Sequence, residues 1–355
     1  MNANASRNRW LLVETFSGEG RQPSVIAKGR NAIWMVPLAS VLRKSRYAQE
    51  AGTLVLRAAS QGAPLRATSG DGQRKLIAVP LLPVGGRVHG VHAWIGAQAE
   101  QPPARAGAGA WYLSLTSGRL DSSVELHQLY GIKPGDRARP RLAAEAFERL
   151  LPAADEGRAL GVLVRGRPGD EYQGTWTIRR DDGHLRQITI SCRTVTQLTP
   201  GRRPEVIARG IAHDTSLDAS TPAPGRLLLE RQVLIAEQQP GSYRVIVHPR
   251  NLRALRWIDH PPPGLACTGR GTYAPAIHPD DIPTARKMAE KVAAGGRAEQ
   301  TLRLRDDHGG WMQVGVAASQ LLLDHNTSAA LVTLSLTASP KTTVRERLPD
   351  WAEVR

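Results

Sequence analysis

Phenylalanine occurs twice in 355 residues, cysteine twice and methionine four times. Cys192 and Cys267 lie far apart with no CxxC spacing, which excludes a disulfide framework and a thiolate zinc site and leaves both as packed small hydrophobes. No apolar run approaches the ~18 residues that a membrane span needs, and Met1 to Arg9 lacks the apolar stretch of a secretory signal. A cytoplasmic location is therefore expected. There is no Gly-Lys dipeptide, hence no Walker A loop, and neither HExxH nor G-x-S-x-G occurs. The chemistries those motifs support drop out, and no catalytic residue is assigned; an enzyme of unrecognised type stays as one alternative reading.

Lysine is scarce as well: arginine supplies forty of the 47 basic residues, and the formal net charge is +15. An arginine bias of this kind arises from genome composition without any function. Cutting near residues 100 and 225 leaves net charges of +8, +3 and +4, so the excess sits in the first third. Its basic residues are dispersed singly or in pairs, without the dense stripe or interleaved aromatics of a nucleic-acid groove. Nucleic acid is not an expected partner; docking of the basic N-terminal third on nucleic acid or an anionic membrane stays as a second alternative reading.

What the sequence does hold is a repeat. "AQAEQPPARAGAG" (97–109) and "LDASTPAPG" (217–225) have the Ala, Pro, Gly and Ser content of connections, and they divide the chain into three. An offset of 126 places Ile178-Arg179 on Leu304-Arg305, Asp181 on Asp307, Gly183 on Gly309, and "LRQITIS" on "WMQVGVA". A second match, at an offset of 132, pairs "GAWYLSLTSGRL" with "GSYRVIVHPRNL". The duplicated unit is therefore a whole domain.

In the first copy, "AWYLSL" and "GRLDSS" read as short strands, and "SVELHQLYGI" and "RLAAEAFERLLP" as helices. "GTWTIRR" and "LRQITISCRTV" then flank Asp181-Asp182-Gly183, a hairpin signal, and "EVIARGIAHD" closes the unit as a strand. This is an α+β module with helices on one face of an antiparallel sheet. The succession "GAWYLSLTSGRLDSSVELHQLYGI", "RRDDGHLRQITIS", "IARGIAHDTS" resembles a PAS domain, and "IHPDD" followed by "LRLRDDHGGWMQV" resembles a second. The first segment, with "RWLLVETF", the helix "TLVLRAASQ" and the hairpin "KLIAVPLLPVGGRVHGVHAWIG", fits a divergent GAF-like domain. The layout resembles the mycobacterial triple sensor-domain protein family, GAF-PAS-PAS without an output domain. It implies a GAF-like domain over residues 1–100, PAS-like domains over 107–218 and 226–340, and a tail over 341–355.

Two motifs have structural readings. His278-Pro279-Asp280-Asp281 precedes "IPTARKMAEKVAAGG", so its carboxylates are expected to cap a helix N-terminus. The Asp pairs at 181 and 306 belong to hairpin turns facing solvent. Strand alternation turns Trp176 and Ile178, then Ile188, Ile190 and Cys192, inward in the first copy. Leu302, Leu304, Val314 and Val316 do so in the second, with Trp257 on a helical segment covering them. Trp176, Ile188, Ile190, Cys192, Trp257, Val314 and Val316 are accordingly the candidate ligand-binding residues. These walls suit an apolar ligand or a closed core. Neither copy has the cysteine motif of flavin photosensors, so no cofactor is assigned and a colourless protein is expected. The expected function is that of a non-catalytic sensory or scaffold protein that binds a small molecule, a signalling protein, or both. "SPKTTVRERLPDWAEVR" after the last strand is too short for a kinase or cyclase, so output is expected to pass through that partner.

Overall fold

The computed structural model describes residues 9–16, 22–139, 141–151, 155–198, 201, 203–216, 239–267 and 272–336. The expected connection at 217–225, the tail at 341–355 and Trp351 lie outside the described residues.

The architecture is α+β, and the described residues form three antiparallel sheets that follow one another along the chain. The first has the order β3-β2-β1-β6-β5-β4, built from β1 (Leu11–Glu14), β2 (Ser24–Lys28), β3 (Asn31–Pro37), β4 (Leu65–Thr68), β5 (Arg74–Pro80) and β6 (Gly90–Ala97). Helices α1 (Leu38–Leu42) and α2 (Ala48–Gln61) lie between β3 and β4. Alternation on β1 sends Val13 toward Leu54, Val55 and Ala58 of α2. Its neighbour Leu12 points the other way, into a second core with Phe16 and Ile26.

The second sheet, β10-β11-β12-β7-β8-β9, uses β7 (Ala108–Ser114), β8 (Arg119–Ser122), β9 (Arg141–Leu142), β10 (Glu171–Arg179), β11 (Leu185–Gln197) and β12 (Glu205–Asp214). The crossover from β8 to β10 carries α3 (Val124–Leu129), α4 (Ala143–Arg149) and α5 (Glu156–Arg165). The third, β14-β13-β17-β16-β15, consists of β13 (Ser242–Val247), β14 (Ala254–Trp257), β15 (Ala298–Arg305), β16 (Trp311–Asp324) and β17 (Thr327–Ser335). Here α6 (Ile282–Ala293) occupies the crossover. Leaving aside β9, the second and third sheets share one strand order.

The duplicated hairpins reproduce their register. Arg179 faces Leu185 and Arg305 faces Trp311; Trp176 faces Ile188 and Leu302 faces Val314, each pair shifted by the same offset. Gly183 (φ 83°) and Gly309 (φ 92°) take the left-handed turn position that a side chain disfavours. The aspartates serve different partners, however. Asp182 accepts from the His184 amide in one turn and Asp306 from those of His308 and Gly310 in the other, while Asp181 is held by Arg149 at 2.8 Å.

Three expectations are corrected. Trp257 lies on strand β14, because Val245 on β13 pairs with it and overrides the helical reading of that stretch. Arg141 and Leu142 pair with β8 before the helix begins at Ala143. The carboxylates of 278–281 do not cap α6: Asp281 accepts from the Arg303 amide at 2.7 Å and binds its guanidinium, and the His278 ring accepts from the Asp280 amide. A charged donor on the adjacent strand outcompetes neutral backbone amides, and it holds the Asp281 carboxyl down at about 2.

The three layers pack on one another. Leu12, Phe16 and Ile26 meet Ala108, Ala110 and Ile211 of the second sheet. Leu113, Leu160 and Leu163 meet Ile246, Leu255 and Ala329 of the third. At Gly109 on β7 any Cβ would fall on the backbone of Leu126 in α3. Gly109→Ala is therefore expected to cost about 3 kcal/mol, read as a shift in the urea midpoint, because helix backbone cannot yield as a side-chain tip can.

Candidate functional site

Among the described residues, each copy of the repeat has a cavity between helix and sheet. In the second unit, α3, α4 and α5 stand over the sheet and leave a space of about 110 Å³. Trp176, Ile190 and Cys192 line it, whereas Ile188 is wholly enclosed in the core beside it. The Trp176 indole N–H is satisfied by the Tyr172 hydroxyl at 2.9 Å, and that hydroxyl donates to Asp155 at 3.1 Å. Trp176 is thus a wall and packs edge-on against Phe147 at 6.1 Å. Burial pushes the Cys192 thiol up to about 12, so it stays protonated and packs as a hydrophobe.

One end of this cavity is polar, which the alternation of strand residues did not reveal. His127 of α3 and Arg141 of β9 line it, both nine-tenths buried. Burial, then the neighbouring Arg141, lowers the His127 imidazole to about 4 and keeps it neutral. Arg141 stands in a stretch with Arg137 and Arg139, and nothing local marks which of the three is enclosed. Only the pairing of β9 with β8 turns it inward.

The third unit has a larger cavity, about 730 Å³, between α6 and the face formed by β13, β15, β16 and β17. Trp257, Leu302 and Val316 line it, and Val314 is enclosed behind them. The Trp257 indole nitrogen is buried without a hydrogen-bond partner. Such an orphan donor is uncommon in a packed interior. Leu252, also on the cavity wall, has φ 60°, a conformation disfavoured for residues with a Cβ, and its side chain packs against the core. Burial pushes the Cys267 thiol in the same wall up to about 12. Among the described residues no cluster of His, Cys, Asp or Glu is placed to hold a metal, and no helix is long and apolar enough to cross a membrane.

Over 93% of its length the chain is similar to the crystal structure of an uncharacterized protein from Mycobacterium tuberculosis, with 28% identity, a TM-score of 0.79 and 96% of that chain covered. A sensory box histidine kinase/response regulator from Burkholderia thailandensis matches 37% of this chain and 88% of its own at 18% identity, with a TM-score of 0.23. An RNA-binding light-oxygen-voltage receptor matches 64% and 95% at 11% identity, with a TM-score of 0.25. Overlaps as slight as these last two establish neither fold nor function. No curated protein matched. Residues 9–104 match the N-terminal description of the Rv3651-like family and residues 227–344 its C-terminal domain. The chain therefore carries both described parts of the Rv3651-like family, one on each side of its central sheet.

Proposed function

We propose that the protein is a non-catalytic sensory component of the cytoplasm, in which a GAF-like unit and two PAS-like units respond to small-molecule binding and pass the response to a signalling protein. The observation that carries this reading is the third-unit cavity. Its volume, about 730 Å³, falls within the ~300–1,000 Å³ of ligand pockets, and its lining combines apolar side chains such as Val245, Met288 and Leu334 with the polar Arg250, Asn251, Arg286 and Arg305. A largely apolar molecule that carries a hydrogen-bond acceptor suits that lining. The pocket abuts the second unit through Gly118 and Leu142, so an occupant presses on two units at once.

Native mass spectrometry of the purified full chain tests the reading. A retained small molecule is expected, lost in Val316→Trp, a variant that fills the cavity from β16 and keeps its circular dichroism spectrum. A protein that retains nothing and takes up no apolar probe such as 1-anilinonaphthalene-8-sulfonate, or whose occupant is unaffected by Val316→Trp, would refute it.

A further inference from the structure

The third-unit cavity has a charged rim of one sign. Among the described residues that line it there is no Asp, Glu or Lys, yet four are arginines: Arg250, Arg253, Arg286 and Arg305. None of the four forms an ion pair with a described carboxylate. Arg305 is half-buried and engaged: its guanidinium stands 4.2 Å from the centre of the Trp311 ring and donates to the Gly309 carbonyl at 3.4 Å. Glu148 acts on Cys267 in the wall, though it does not line the cavity. Arg286 is exposed on α6. Arg250 and Arg253 are exposed as well, and their side chains have no hydrogen-bond partner among the described residues.

The turn between β13 and β14 places that last pair. The His248 ring and the Asn251 side chain close it, accepting from the Arg250 and Arg253 amides at 3.1 Å each. Burial, then the charge of Arg250, lowers the His248 imidazole and keeps it neutral. Thr116 and Ser117 of the second unit line the same end, and the Asn251 amide donates to the Thr116 carbonyl at 3.5 Å. Glu205 is tied to this end through Ser114, whose hydroxyl donates to it and accepts from Ser117. Away from the turn the wall is apolar and long. It runs from Ala330, which pairs with Val247 and Gln320, to Leu304, which pairs with Met312. Gln320 and Met312 are eight residues apart on β16, about 25 Å at the rise of a strand.

We infer that the third-unit cavity takes a single-chain anionic amphiphile, a fatty acid being the simplest, with its acid group on Arg250 and Arg253 and its chain along β16. The inference rests on the third-unit reading and adds the head group and the direction of the chain. A long apolar chain suits the wall between α6 and the sheet, where each CH₂ leaves water. The arginines are exposed, so the acid meets them without the cost of burying an ion pair, and a guanidinium matches a carboxylate in a forked pair of hydrogen bonds. The acid then lies at the junction of the second and third units.

Calorimetric titration of the full chain with decanoate, hexanoate, decanol and decyltrimethylammonium provides the test. Decanoate is expected to bind one per chain, about fourfold tighter for each CH₂ gained over hexanoate. Decanol should bind about tenfold more weakly than decanoate, and the cation more weakly still. Arg250→Gln combined with Arg253→Gln should bring decanoate down to about the affinity of decanol, and Val316→Trp should abolish its binding. Equal affinities for decanoate and decanol, undiminished decanoate binding in the double variant, or decanoate binding that survives Val316→Trp would overturn the inference. Should the double variant fail to fold, decanoate against decanol on the unaltered chain decides. Decanol that binds as tightly as decanoate would refute the anion and leave the cavity a ligand site. A chain that takes up neither of them, nor 1-anilinonaphthalene-8-sulfonate, would refute that site as well.

Discussion

Replacing Arg256 by methionine is expected to destabilise the protein by about 3–5 kcal/mol and to split its unfolding into two transitions. Arg256 is 2% exposed and sits on β14 of the third unit, yet its head group serves the second. It donates to the carbonyl oxygens of Phe147 (3.3 Å), which also accepts from the Leu150 amide, and of Leu150 (3.2 Å), at the end of α4, and it pairs with Glu156 of α5. The guanidinium also stands over the Phe147 ring, 5.6 Å from its centroid. The variant leaves two carbonyls and a carboxylate without this donor at the boundary of two cores. Lysine should not rescue it, since one ammonium cannot reproduce the fork that reaches both helices. Calorimetry and urea titration give the reading: a single transition that loses less than about 1 kcal/mol would show that the two units are joined by their apolar contacts alone. Because alternate strand residues face opposite ways, Trp257 enters the third-unit cavity while Arg256 holds Phe147 and Leu150, which wall the second. One four-residue strand thus touches the surroundings of both.

The repeat was legible because its signals are local. Alternation about Asp181-Asp182-Gly183 and about Asp307-His308-Gly309 needs only neighbouring residues, and the two hairpins keep the same register across 126 positions. The inward turn of Trp176, Cys192 and Val316 follows from that same period of two. Trp257 was misread because β14 is too short for alternation to speak, and its pairing with β13 comes from elsewhere in the chain. The polar end of the second-unit cavity was illegible for a related reason: Arg141 differs from Arg137 and Arg139 only in being paired to β8. Similarly, "HPDD" carries every mark of a carboxylate cap, and only the arrival of Arg303 beside it diverts Asp281. What sequence reasoning lacked in each case was a partner distant along the chain.

A steep loss of stability between pH 6.5 and 4 is the second large effect expected. His89, His92 and His213 are 1%, 4% and 2% exposed, and burial, the leading cause in each, lowers them to about 4, about 3 and about 4. All three lie near the boundary of the first and second units: the His89 ring meets the Gly210 carbonyl, and His213 Nε2 lies 2.9 Å from the Gly29 carbonyl. His92 packs edge-on against Trp10 at 6.2 Å. Their folded-state values fall below the ~6.5 of an unfolded chain, so below pH 6.5 the unfolded chain takes up protons that the folded one refuses. Stability then falls with decreasing pH, by up to about 1.4 kcal/mol per pH unit for each histidine, until the folded state also protonates near 4, or near 3 for His92. His127, at about 4, adds to the same window. The carboxylates held low, Asp71, Asp182 and Asp281 at about 2, contribute in the same direction but only below about pH 4. Two windows should therefore appear in urea midpoints measured from pH 8 to 3. Replacing His92 by leucine should lower the slope near pH 5 by about 1.4 kcal/mol per pH unit and leave the lower window alone. A midpoint that is flat from pH 8 to 5 and falls only below 4 would mean that these imidazoles are charged in the folded state, and that the boundary between the first two units is hydrated.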